Sequence, residues 1–347
     1  MKKKKGVTVT LVACFAVVVT GLPFAAAWAK PVAAPTKESP MVLKLSHSLP
    51  ATSKGTKVVM SNKFKELVEQ RSGAKVKVVI HPGAELYKDP AGLVATAKGT
   101  IFSQVVSSDA LTTWEKGIEI LSMYGTFDDR EHGGRFLAHE NGGQEIYRRL
   151  EKKGLVVALY VSGPWMLWTK TRVTSANDLT GMKVRTTKSK MEAACMKALG
   201  CIVYPLPVSE LYSAAQTGLV AGTVTLPLSI ASRKLDEVFR FSVEKPVFNY
   251  NYAGMAVSKK LLDGMPSDIR KIALESLYEA ADYTTTQAVS VNDNYIKKLE
   301  KRDVTFVTIA PAEWGNFHKR FKQVHEKYVK ENPETFKALL EVVEETR

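Results

Sequence analysis

Residues 177–226 read NDLTGMKVRTTKSKMEAACMKALGCIVYPLPVSELYSAAQTGLVAGTVTL, and the alternation inside this stretch decides the fold. Met182 to Thr186 is a short strand-like run that follows the turn residues Asn177, Asp178 and Gly181. A helical pattern over 188–199 stops at Gly200. A strand over 202–204, a helix over 209–217, a Gly-bounded turn, a strand over 223–226 and a helix around Ser229 to Glu237 complete the run. Strands that alternate with helices in this way imply a parallel sheet with helices on its faces.

The same rhythm extends upstream. Val42 to His47 is a predicted strand, and Ser53 or Thr56 starts a helix with Val59, Met60, Phe64, Leu67 and Val68 on one face. Ser72-Gly73 ends it, and a strand from Lys75 to His81, a turn at Pro82-Gly83, a helix from Pro90 to Lys98 and a strand from Phe102 to Val106 follow. Glu131 to Lys153 is polar and helical, and Leu155 to Tyr160 is a buried-strand candidate. Downstream, Pro266 to Leu299 is an almost unbroken helical pattern with Ile269, Ile272, Ala273, Leu277, Ala280 and Ala281 on one side. A helix of that length spans about 50 Å, more than one domain is wide, and so is expected to brace two lobes.

The 347 residues are 45% hydrophobic and 24% charged, a composition that suits folded domains and excludes disorder or collagen. The formal charge is +14. Part of it is Lys2 to Lys5, which precede an apolar run from Val7 and the pattern Ala27-Trp28-Ala29, together the anatomy of a secretory signal cleaved before Lys30. A retained anchor is the rival reading, countered by the helix breakers Gly21 and Pro23; a lipoprotein is another, but Leu11-Val12-Ala13-Cys14 lies mid-run rather than at its end. Without residues 1–29 the chain has 45 basic and 35 acidic residues, hence +10, scattered beside Glu on helix faces with no aromatic platforms between them. A solvated surface, not a nucleic-acid site, is expected. Cys195 and Cys201 flank a Gly200 helix stop, where a bridge would need a sharp turn, so two buried thiols are expected. The six histidines show no paired ligand spacing, so neither a metal nor a cofactor is expected.

Two lobes, export and the absence of Gly-x-Ser-x-Gly, His-Glu-x-x-His and P-loop motifs point to a binding cleft rather than catalysis. Leu179 to Thr186, Ala198-Leu199-Gly200 and Pro205 to Gly222 closely resemble the solute-binding subunits of TRAP transporters, tripartite ATP-independent periplasmic systems. That family carries an Asp-Leu-x-Gly-x-Lys-Ile/Val-Arg strand and a Glu-x-Tyr-x-Ala-Leu-Gln-x-Gly-x-Val-Asp-Gly helix-turn. Phe64 to Glu69, His81 to Tyr87 and Leu261 to Pro266 match in order as well, over nearly the whole exported chain. The resemblance implies an α/β, two-lobed periplasmic binding protein fold, with mixed sheets flanked by helices, hinge strands and a long bridging helix. The expected organisation is a signal at 1–29, a linker at 30–40, lobe I at 41–162 plus about 252–285, lobe II at 163–251 plus about 286–320, and a C-terminal helical segment at 321–347.

In that family the strand arginine grips the ligand carboxylate, and Arg185 occupies its place. A planar guanidinium at the end of a buried strand matches two carboxylate oxygens. A second family arginine, in a Gly-x-Arg strand, is replaced in Gly163-Pro164-Trp165. A family aromatic is replaced by Val208, and a family Asn falls in Thr223 to Pro227, nearest Thr225. The Asp of Val-Asp-Gly is Ala221. The expected ligand residues are therefore Arg185, Trp165, Val208, Thr225, Leu226, His47 and Tyr250, with Trp168, Tyr204, Phe248 and Tyr252 either nearby or in the core. One charge anchor with apolar walls selects a hydrophobic or aromatic monocarboxylate, because a second carboxylate would lie unpaired. The resemblance implies delivery by a monomeric receptor to a membrane permease; a receptor feeding a sensor kinase is the alternative, and an exported enzyme built on Asp128 to His132 a weaker one.

Overall fold

The computed structural model describes residues 34–187, 189–244 and 248–347. The signal at 1–29 and the first part of the linker lie outside the described residues. The chain opens with β1 (Met41–His47), α1 (Thr56–Arg71), β2 (Val76–His81), α2 (Asp89–Lys98), β3 (Ser103–Ser107) and α3 (Ser108–Leu111). Strand β1 lies between β2 and β3, parallel to both, with Leu45 opposite Ile80 on one side and Ser103 on the other. Helix α1 covers this sheet with Met60, Phe64, Leu67 and Val68, its i, i+4, i+7, i+8 face. It ends at Ser72 because Gly73 and Ala74 turn left-handed.

A 3₁₀ turn (Lys116–Ser122) leads to α4 (Arg130–Ala138) and α5 (Gly143–Lys152). The polar segment expected as one helical stretch is thus two helices. Gly143 packs so tightly on the end of α4 that a Cβ would lie 2.4 Å from the Leu137 Cα, so the chain reverses there instead of continuing. Strand β4 (Leu155–Thr169) is longer than expected.

The remaining elements are β5 (Lys183–Thr186), α6 (Lys190–Ala198), β6 (Ile202–Pro205), α7 (Leu211–Gln216), β7 (Gly222–Thr225), α8 (Pro227–Ser232), β8 (Phe241–Val243), β9 (Asn249–Ser258), α9 (Lys259–Asp263), α10 (Ser267–Glu300), β10 (Thr305–Val307), α11 (Pro311–Glu331) and α12 (Pro333–Glu345). The main strand order is β2-β1-β3-β9-β4-β7-β5-β6. Outer strands are parallel, as the rhythm predicts, but β9 runs antiparallel between β3 and β4, which makes the sheet mixed. Strand β4 pairs with β9 from Leu155 to Trp165 and with β7 from Met166 to Thr169, so a single strand belongs to both halves. Its register shifts between Val161 and Gly163, where the backbone takes φ +137°.

Helix α10 has 34 residues, about 51 Å at 1.5 Å per residue. Ile269, Ala273, Leu277, Ala280 and Ala281 pack in one core with Leu45, Phe64 and Met255. Leu299 packs in another with Trp168, Leu211 and Phe239. Between these ends, buried Asn292 donates from Nδ2 to the Ser162 carbonyl (3.3 Å) and accepts at Oδ1 from the Leu228 N–H (3.3 Å). The Val161 N–H donates to Thr285 Oγ1 at 3.1 Å, so two side chains of α10 hold β4 at its irregularity. Helices α11 and α12 bury Phe317, Phe321, Phe336 and Leu339 in a third core with Ile118, Tyr124 and Phe248. Cys195 and Cys201 are buried free thiols, as expected.

Candidate functional site

Arg185 is the third residue of β5, held between two parallel neighbours with Tyr204 opposite on β6 and Thr223 on β7. Its side chain is 4% exposed, and its Nε donates to the Leu206 carbonyl at 2.8 Å. That bond fixes one edge of the guanidinium. Among the described residues no acidic side chain forms an ion pair with it. Burial lowers its pKa, the charges of Glu192 and Tyr124 oppose the shift, and Arg233 adds to it. An arginine stays protonated in a protein, so Arg185 is a buried cation that needs an anion from elsewhere.

Arg185 lies on a cleft of about 500 Å³, and the structure brings Trp165, Val208, Thr225 and Leu226 into the same lining. Trp165 is the last residue of β4 paired with β9, opposite Asn249. Thr225 ends β7 and Leu226 caps α8, whose first turn is fixed by Pro227 at a position that needs no N–H. Val208 opens the 3₁₀ turn after Pro207. The facing wall comes from Ser53 to Lys57 at the start of α1, and Thr56 Oγ1 lies 3.0 Å from Ser162 Oγ on β4. Lys57 is neutralised by Asp89 at 2.6 Å.

Two expected residues lie elsewhere. Tyr250 lines a smaller annex of about 180 Å³, which shares Ser107, Trp165, Thr187 and Asn251 with the main cleft. His47 is 1% exposed at the end of β1 and lines neither space; burial lowers its pKa. Of the additional aromatics, Trp168 is core, its indole Nε1 donating to the Thr225 carbonyl at 3.0 Å, and Phe248 is core beside Tyr124. Tyr204 packs on the core of α7 and α8, and Tyr252 lines the annex.

Sequence reasoning missed three groups here. Lys54 and Arg233 stand exposed on the cleft walls, 179 residues apart in sequence, so no local spacing could pair them. Glu192 lines the annex at 3% exposure. Ser189-Lys190-Met191-Glu192 has the spacing of a capping box, and the Ser189 hydroxyl does accept from the Glu192 N–H at 3.2 Å. The carboxylate bypasses the Ser189 N–H, however, and accepts from the Thr187 N–H at 3.1 Å and from the Thr187 hydroxyl.

A family model described as bacterial extracellular solute-binding protein, family 7, matches residues 45–332. The C4-dicarboxylate-binding periplasmic protein DctP of Rhodobacter capsulatus is 30% identical over 78% of this chain and 81% of its own. The 2,3-diketo-L-gulonate-binding periplasmic protein YiaO of Escherichia coli is 25% identical over 72% and 76%. Among solved structures, a TRAP periplasmic solute binding protein of Ochrobactrum anthropi superposes with a TM-score of 0.82 at 25% identity, over 89% of this chain and 96% of its own. A Shewanella oneidensis protein of the same description, with bound succinate, has the same fold, with a TM-score of 0.77 at 24% identity over 88% and 99%. From these matches, the chain belongs to family 7 of the bacterial extracellular solute-binding proteins, the solute receptors of TRAP-type transport.

Proposed function

We propose that the protein works in the periplasm as a monomeric receptor that seats the carboxylate of an organic acid on Arg185 and hands the acid to a TRAP membrane permease. The observation that carries this reading is the buried guanidinium, fixed through Nε and without an acidic partner among the described residues. A carboxylate delivered to it gains two charge-assisted hydrogen bonds and pairs a buried charge that forms no ion pair among the described residues. Trp165, Val208, Thr225 and Leu226 hold the body of the acid. The favoured ligand is a hydrophobic or aromatic monocarboxylate, supported by the apolar walls that Leu49 and Leu228 extend.

A diacid is the second reading. Arg233 and Lys54 favour it, because neither forms an ion pair among the described residues and both line the cleft with Arg185. The Rhodobacter capsulatus relative is named for C4-dicarboxylates.

Closure follows from the chain path: lobe I at 41–162 plus about 252–285 and lobe II at 163–251 plus about 286–320 bend against each other near Gly163, with α10 flexing beside it. A thermal-shift panel of benzoate and phenylacetate against succinate and malate tests the ligand class. A ligand at 100 times its Kd stabilises by about 2.7 kcal/mol. Shifts from the aromatic acids alone are expected; shifts from succinate and malate alone would replace the monocarboxylate reading with the diacid one.

A further inference from the structure

Two groups of opposite charge are buried in the adjoining cleft and annex without forming an ion pair among the described residues. Arg185 is one. Glu192, on the first turn of α6, is the other: its Oε2 accepts two bonds from Thr187, and its Oε1 is buried with no partner among the described residues. Thr187 joins them, since it follows Arg185 by two residues, lines both cleft and annex, and supplies both donors to Glu192. Tyr124, 2% exposed and with no hydrogen-bond partner for its hydroxyl among the described residues, lines the same annex.

This arrangement has one consequence for a carboxylate arriving at Arg185. In the empty cleft the Arg185 cation is the favourable neighbour of the Glu192 carboxylate. A bound carboxylate cancels that cation's field at Glu192, whose second oxygen has no donor among the described residues to compensate the loss. We propose that Glu192 is a positioning residue for ligand capture: it takes a proton from the solvent when a carboxylate seats on Arg185, so that binding is proton-linked. The inference rests on the carboxylate role of Arg185 argued above.

The groups around Glu192 fit this role. Arg185 on β5 lowers its pKa, and Asp109 on α3 raises it. Glu192 in turn raises the pKa of Tyr124, which precedes α4, and that of Cys195 on its own helix. Burial raises the pKa of Glu119 in the 3₁₀ turn, with Lys190 on α6 opposing it, and burial raises that of Tyr328 on α11, with the charge of Cys195 adding to it. Burial is the largest influence and holds the carboxyl at about 7 in the empty protein, so a modest upward push protonates it near neutrality.

The sign is fixed by linkage. Between the free and the ligand-bound pKa the complex holds one more proton than its parts, so affinity falls as pH rises above about 7, by up to about tenfold per pH unit. The test is NMR on protein labelled at the glutamate carboxyl carbon and the arginine Nε, with Glu192→Gln assigning the carbon, and benzoate and succinate as separate probes. In the empty protein Glu192 titrates near neutrality, and Arg185→Ala moves that titration upward. With a probe that shifts the Arg185 Nε resonance, the Glu192 titration moves up by at least a pH unit. Glu192→Gln binds that probe with the same affinity at pH 6 and pH 8.5, whereas the unmodified protein loses about tenfold. A probe that moves Arg185 and leaves Glu192 unmoved overturns the inference and spares the carboxylate site. An Arg185 resonance that neither probe moves overturns both.

Discussion

Gly163 and Asn292 meet so closely that a Cβ on the glycine would lie 2.3 Å from the amide nitrogen of the asparagine. The glycine also takes φ +137°, a conformation that side chains rarely adopt. Gly163→Ala therefore loses stability on two grounds, about 1–3 kcal/mol from backbone strain before the clash is counted. Thermal melting checks it. The double variant with Asn292→Ala melts higher than the sum of the two single losses predicts, because the clash is gone.

Arg185→Ala removes the buried guanidinium of the cleft and weakens carboxylate binding by about a hundredfold or more, as expected when a partner of a buried charge pair is truncated. Arg185→Lys recovers little, since an ammonium cannot hold the Leu206 carbonyl through Nε and also grip two oxygens. Calorimetry with an acid that passes the thermal-shift panel measures both. Unchanged affinity in Arg185→Ala would remove this residue from the site.

Stability depends on pH through two buried groups with opposite signs. Burial lowers the His325 pKa from 6.5 to about 4, so its contribution is whole above pH 6.5 and is lost as pH falls from 6.5 toward 4, at up to about 1.4 kcal/mol per pH unit. Burial raises the Glu192 pKa from 4.5 to about 7, so its contribution is whole below 4.5 and is lost as pH rises through 7. The two windows overlap between about pH 4.5 and 6.5, so denaturant melts of the single variants at pH 5 and pH 8 separate them: His325→Gln leaves the loss of stability with rising pH that Glu192 causes, and Glu192→Gln leaves the gain that His325 causes.

Burial pushes the Cys195 and Cys201 thiols up to about 12, so neither supplies thiolate at neutral pH. A thiol reagent leaves the folded protein without residues 1–29 essentially unlabelled over minutes. The same reagent titrates both thiols after denaturation. Rapid labelling of the folded form would show that the α6 region opens.

How much of this was legible follows the physics of each element. Val42 to His81 was read closely because each element carries its own period, two in the strands and helical spacing from Val59 to Val68. Strand β4 was read only to Tyr160, where the unbroken apolar run ends; in the fold Gly163 and Pro164 are paired as well, opposite Asn251 and Tyr250. Strand β9 passed unread because Asn249-Tyr250-Asn251-Tyr252 lacks an apolar run, and only long-range pairing with β3 and β4 makes it a central strand. In the site, Arg185 was legible because a local strand pattern positions it. Glu192 was hidden by a capping sequence whose carboxylate serves another donor, and Arg233 by its distance from Lys54 in the chain.

The sharing of β4 between the two halves of the sheet constrains how the molecule comes apart. A strand whose residues 155–165 pair with β9 and whose residues 166–169 pair with β7 cannot be severed without exposing an unpaired edge on either side. The two halves are therefore coupled through this one strand, and separating them breaks a ladder in each.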